Sequence, residues 1–516
     1  MTMKHFSTVL LLAGVIAAPI ATVAVPAFAA NPWLGPVPTA TCGRGSRTET
    51  GLQGSTTLAE RYSGASAQSY HCNLELVGQV RGEGASWQMA YFDHCAYYAV
   101  ANTPEQQHKG TVVVDVSDTK NPKIVGYLDT PTMDDPWESL HVNQARKLLG
   151  GVEAENGTGL NGGFEIYDIS QDCAKPVLKS SIVIPDSTAH AGNWSPDGNF
   201  FYVTQGFRGV NAIMPIVDTS DASKPKWIMN WKFTSDGRSH DTNMNDAGTR
   251  LYAPQPGNIF APKGNSSEGP EGLVILDTSD VANHVPNPQI RTVSTFFWKD
   301  GGQAQQTLPV TIGGKPYVIF TQETSSGSGA GGPTGRGGAC AQNLPPFGFT
   351  KIVDISDEKN PTLTANLMLQ VHDPKYCVLT LSEATNPGFV YDSHYCNVDN
   401  QHDARLLACG YFEAGIRVFD IRDPYSPKEV AYYKPPAQGT KVIPGSNLWN
   451  RSGRGGLSRT ADWAGSFIRV VKRKATGDVE LWFTSQDSGF QVVKFTNLDQ
   501  AGGKDLYAIH NGDDVL

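Results

Sequence analysis

The chain has 516 residues and a formal net charge of −9, with no basic run or stripe, which excludes the electrostatic footprint of a nucleic-acid-binding protein. Gly (54) and Pro (33) are abundant while charged residues are only 18%, the composition of a turn-rich all-β chain whose hairpins need residues tolerant of special backbone angles. Length alone suggests several domains, but an internal repeat overrides that expectation.

Lys4 and His5 precede an apolar stretch from Val9 to Val25, and Ala27-Phe28-Ala29 follows as a small-x-small cleavage pattern. Residues 1–29 therefore read as a signal peptide and the mature protein as secreted or periplasmic. No later stretch approaches the ~20 apolar residues that span a bilayer, so no membrane span is expected after signal removal. Residues 30–72 are polar, rich in Gly, Ser and Thr, and read as an N-terminal arm. Eight cysteines follow the signal, an even count that favours disulfides in an exported chain. No pair has C-x-x-C spacing, which argues against a cysteine-built zinc site. Cys42–Cys72 and Cys340–Cys377 are the preferred pairings, although spacing does not fix connectivity.

From residue 73 the chain repeats itself. Gly110-Thr-Val-Val-Val-Asp-Val-Ser-Asp118, with Pro122 and a second strand to Tyr127, sets the pattern. Near-copies run through Asp168, Asp218, Asp277, Asp354 and Asp420, and a worn seventh copy is Gly489–Phe495. Within a unit, a His-led strand, a hairpin such as Ser195-Pro-Asp-Gly198, and strands Phe200–Thr204, Pro215–Asp218 and Trp227–Phe233 follow in order. Four antiparallel strands in seven units predict a seven-bladed β-propeller over residues 73–500, with a tail at 501–516. Leu74–Val80 resembles a unit's last strand without the turn before it, and the seventh unit lacks that strand. The N-terminal strand is therefore expected to complete the last blade and close the ring.

The strands Val113-Val-Asp-Val116 and Ile352-Val-Asp-Ile355 resemble the LVIVD repeat of exported bacterial propellers, over roughly residues 73–497. That resemblance implies the fold and leaves function open. More loosely, a His-led inner strand followed by Asp-Gly is similar to selenium-binding-protein and methanethiol-oxidase propellers, which use copper.

Four histidines recur near one repeat position: His141, His190, His240 and His394, the last three each followed three residues later by Asn. His141 is counted in because it lies 27 residues before Asp168, near the 28 from His190 to Asp218. Such imidazoles aimed at one axis form a candidate transition-metal site for copper or zinc, or else tie neighbouring blades together by hydrogen bonds. The end of each second strand carries Glu153, Gln205, Gln255, Gln322, Glu413 or Gln486. These read as polar ligand-binding groups at the same mouth of the channel, or as partners for loop backbone. Asp186, Asp236, Glu138 and Asp392, two to four residues before these histidines, are candidate supports for them or caps of the blade linkers. The acids of the Asp-x-Ser-Asp turns are read as Asx-turns rather than a calcium site. There is no Gly-x-Ser-x-Gly, phosphate loop or His-Glu-x-x-His.

Three functions fit: a propeller binding a metal ion or small ligand at a His-lined mouth, a copper-dependent oxidase, or a scaffold that binds a protein or glycan without catalysis. Whether the chain is an enzyme is left open by the sequence.

Overall fold

The computed structural model describes Met1 and residues 31–496, except 102, 104–105, 155–161, 186–188, 205–212, 234–238, 257–270, 301, 325–332, 385–388 and 452–456. Seven antiparallel sheets follow one another along the chain, six of four strands and one of five. Blade 3 shows the plan: Ala191–Trp194 innermost, then Phe200–Thr204, Ile213–Asp218 and Lys226–Lys232. Middle strands such as Leu148–Val152 are buried at every residue because neighbouring blades cover both faces. The outermost strand of that blade, Val177–Val183, is mostly exposed. This explains why the repeat's most legible strand is a continuous apolar run instead of an alternating one.

The ring closes as expected. Leu74–Val80 pairs antiparallel with Gly489–Phe495, from Leu74 opposite Phe495 to Val80 opposite Phe490, and is the outer strand of blade 7. The pairing unites the two ends of the repeat region and leaves blade 7 with its full four strands. Tyr70–Cys72 adds a fifth strand to the outside of blade 6 against Lys428–Lys434. The preceding chain docks on the same blade through buried charge: Arg417 pairs with Glu429 at 3.0 Å and with Glu49, and Lys434 with Glu49 at 3.1 Å.

Four disulfides form: Cys42–Cys72, Cys95–Cys173, Cys340–Cys377 and Cys396–Cys409. Cys340–Cys377 joins two short helices, Pro333–Ala341 and Cys377–Glu383. The Gly-rich stretch 325–341 reads as a mobile tip in sequence, yet its second half is a helix pinned by that bridge, and 325–332 lie outside the described residues.

The turn acids behave as scaffold. Asp115, Asp218, Asp277 and Asp354 each accept the backbone N–H two residues on, at 2.7–2.9 Å. Asp118, Asp221 and Asp357 repeat the contact at 3.0 Å.

Leu74 is fully buried in the cluster between blades 6 and 7, with Val493 and Phe495. Leu74→Ala should destabilise the protein by about 2–5 kcal/mol in denaturant unfolding, the usual cost of a buried leucine. A loss below ~0.5 kcal/mol would mean that this strand does not carry the closure.

Candidate functional site: a buried histidine–carboxylate centre on the propeller axis

Strand register shows which side chains share a level. Taking the second-strand residue opposite the repeat Asp as first, its third residue pairs with His141 in blade 2, Asn193 in blade 3, Asn243 in blade 4 and Asn397 in blade 6. In blade 5 the corresponding residue is Leu308. Three residues earlier on each inner strand lie Glu138, His190, His240, His394 and, in blade 5, Gln305. Blade 1 places Trp87 there, three residues before Ala90. Blade 2 therefore presents Glu138 at the histidine level, and His141 takes the asparagine position. The count of 27 to Asp168 misplaces His141 because it crosses the connection between second and third strands, whose length varies. His141 to Gly150 and Asn193 to Tyr202 are both nine residues, a count that stays within the hairpin.

Glu138, 3% exposed, is the hub. Its Oε2 lies 3.3 Å from His190 Nε2 and 3.1 Å from His240 Nε2, and its Oε1 lies 3.1 Å from His394 Nε2. Gln305 donates from Nε2 to Glu138 Oε2 at 3.1 Å and reaches His394 Nε2 at 3.0 Å. Glu138, His190 and His240 offer ligand atoms all within 4.8 Å of one another. Among the described residues no lysine or arginine pairs with Glu138. Burial pushes the His240 imidazole down to about 3, so it is neutral at physiological pH. Burial alone would raise the Glu138 carboxyl, but His240 and His394 beside it hold it well below its usual range.

Tautomers follow from the partners. His394 Nδ1 lies 2.6 Å from the Gly465 carbonyl, which only accepts, so Nδ1 carries a proton and, in a neutral ring, the Nε2 lone pair faces Glu138. Two acceptors would then face each other at 3.1 Å, an arrangement that a proton on Nε2 or a cation between them relieves. This is the orientation in which ligating histidines are generally held. His240 is set the other way, because its Nδ1 accepts the Asp241 N–H at 3.0 Å and Nε2 holds the proton. Its Nε2 lies 3.1 Å from Glu138 Oε2, and it ligates only if that backbone contact is released.

Aromatic rings cover the centre. Phe412 lies 5.0 Å and Trp87 5.9 Å from His394, and Trp137 lies 5.8 Å from His190. Phe389 stacks on Phe412 at 4.5 Å, and Trp463 closes the group against both. Trp137 (φ 47°) and Phe412 (φ 42°) sit in the left-handed region. That conformation costs about 1–3 kcal/mol per residue and is retained where the surroundings over-determine it.

The second-strand residues are buried but divided. Gln322 Nε2 donates to Glu271 Oε1 at 2.6 Å and toward the Asp300 and Gly302 carbonyls, so it serves the loops. Its neighbour Glu323, which sequence reasoning passed over, lies 3.6 Å from His394 Nε2. Glu413 faces Arg61 of the N-terminal arm at 3.5 Å. Glu153, Gln255 and Gln486 are buried, and Gln205 lies outside the described residues. Asp392 serves Arg336 and two backbone N–H groups instead of a histidine, and Asp186 and Asp236 lie outside the described residues. His94 lies beside Cys95 and Cys173, but those sulfurs form a disulfide and offer no thiolate.

The asparagines tie blades together. Asn143 donates to the Ser195 carbonyl at 3.1 Å, Asn193 to Thr242 at 3.1 Å and Asn243 to Thr307 at 2.8 Å. With Asn397 and Tyr91 they line a cavity of about 460 Å³ at the hairpin end of the channel. Of the His-x-x-Asn repeat, the Asn is scaffold and the His forms the centre.

Four-stranded blades in a sevenfold ring make this chain a seven-bladed β-propeller. No family model matches it, and no curated protein sequence does. Among solved structures it is similar to a protein from Lactobacillus plantarum, at 10% identity and a TM-score of 0.44, over 77% of this chain and 98% of that one. It is also similar to Kuenenia stuttgartiensis hydrazine synthase, at 12% identity and a TM-score of 0.38, over 64% of this chain and 82% of that one.

Glu413 gives a pH test of this face. Burial pushes its carboxyl up to about 7 despite Arg61, whose guanidinium also contacts the Tyr391 hydroxyl and the Thr56 carbonyl. The folded state thus binds a proton that the unfolded chain releases near 4.5, and stability falls as pH rises from about 4.5 through about 7. Glu413→Gln should flatten the stability–pH curve between pH 5 and 7 by up to about 1.4 kcal/mol per pH unit. An unchanged slope would show that Glu413 is ionised across that range.

Proposed function

We propose that this chain is an exported LVIVD-repeat propeller that binds a transition metal ion on its axis through His190, His394 and Glu138, with His240 joining when its ring turns. The observation that carries this reading is the convergence of three buried imidazoles on one buried carboxylate with no lysine or arginine among the described residues paired to it. A mixed imidazole–carboxylate set suits copper or zinc. Bound there, the metal would supply Lewis-acid or redox chemistry. Trp87, Trp137 and Phe412 would exclude water above it and favour a small apolar ligand. Gln305 would orient Glu138, and Gly465 would hold the His394 tautomer. Copper-dependent oxidation is the catalytic form of this reading, supported by the loose similarity of the His-led strand to copper propellers.

Metal analysis of untagged protein after reconstitution with Cu(II) or Zn(II) should find the ion retained through desalting. His394→Ala should lower the affinity by at least a hundredfold without unfolding the protein. Less than a tenth of an equivalent in the parent protein would end the reading and leave a histidine-tied scaffold.

A further inference from the structure

His141 lies at the level below the Glu138 hub, and its partner Asp241 adjoins the hub through its backbone. Asp241 follows His240, is fully buried, and has its backbone N–H fixed by the Gln305 carbonyl at 2.9 Å. Its Oδ2 lies 3.3 Å from His141 Nε2, at the long end for an N–H···O contact, and among the described residues no other donor reaches either carboxylate oxygen. Gln88 Oε1 accepts from the Met89 N–H at 2.9 Å and the Phe467 N–H at 3.3 Å, which turns its NH2 toward His141 Nε2 at 3.4 Å. An amide NH2 only donates, whereas the Asp241 carboxylate only accepts, so the two contacts of His141 Nε2 call for opposite tautomers and one is left unmet in either. Two further buried oxygens adjoin this pair, the Tyr395 hydroxyl beside the Gln305 side chain and Gln305 Oε1, and among the described residues no other hydrogen-bond partner reaches either. Tyr395 is close enough to Asp241 and Glu138 to feel both charges. Buried carboxylates are ordinarily hydrogen-bonded, paired with a cation or coordinated to a metal.

We propose that His141 Nε2 and the Asp241 carboxylate hold a second divalent cation, separate from the one at Glu138, with Tyr395 and Gln305 supplying neutral oxygens. One imidazole with three oxygens makes it harder in donor character than the centre above it, suited to Zn(II) or Mn(II) more than to a thiophilic ion. The proposal shares the neighbourhood of the site assigned under Proposed function but not its ligands.

The test is Zn(II) binding to full-length untagged protein, by calorimetry and native mass spectrometry. Two buried equivalents are expected in the parent protein. His141→Gln should weaken one of them at least tenfold and leave the other, and His394→Ala should do the converse. Asp241→Asn, nearly isosteric, repeats the first result if His141→Gln proves unstable. One equivalent removed by His394→Ala and untouched by His141→Gln and Asp241→Asn would overturn the second site and leave the first standing. One equivalent removed by His141→Gln and untouched by His394→Ala would support the second and refute the first. No bound zinc overturns both.

Discussion

A buried carboxylate without a fixed positive partner is the constraint around which the centre of this propeller is arranged. Glu138 is out of water, and transferring an unpaired carboxylate into such surroundings costs several kcal/mol. Among the described residues three imidazoles and one amide meet it, and no lysine or arginine does. A neutral imidazole solvates a carboxylate only by donating, and His394 is oriented so that it cannot donate from Nε2 while neutral. The charge left over has to be met by a proton or by an ion, and the ring of blades supplies the rigidity that keeps the groups converged.

That rigidity is local in origin. Inner strands start at the axis, the Asn side chains bond each blade to the next, and the Leu74–Val80 strand closes the circle. Side chains at one repeat level therefore meet even though they are as far apart in sequence as Glu138 and His394. The aromatic cover depends on the same frame, because Trp137 and Phe412 keep left-handed backbones only while their neighbours hold them.

The fold was legible because its signal is repeated: seven strand-turn copies, an orphan strand at one end and a missing one at the other specify blade number and closure. The Asx-turn role of the repeated acids was legible for the same reason. The centre was only half legible. His190, His240 and His394 announce themselves by residue type, but Glu138 and Gln305 hold the same level in blades 2 and 5 with different chemistry, so a search for histidines passes over them. His141 was drawn into the set by a count that spans a connection of variable length. Glu323 was hidden behind Gln322, since the extra residue that offsets their pairing, Gln305, lies on the facing strand and leaves no mark in the sequence. Hairpin spacing, which stays within one turn, would have aligned blades 2 and 3 correctly. No comparable signal marks the aromatic cover, which gathers Trp87, Trp137, Phe389, Phe412 and Trp463 from five separated segments.

The most direct measurement is an anomalous difference map at the copper or zinc edge from crystals of metal-reconstituted protein. The account predicts a peak about 2.0–2.2 Å from His190 Nε2, His394 Nε2 and a Glu138 oxygen. A fully reconstituted crystal with no peak among these atoms, and His394 still 3.1 Å from Glu138, would contradict it.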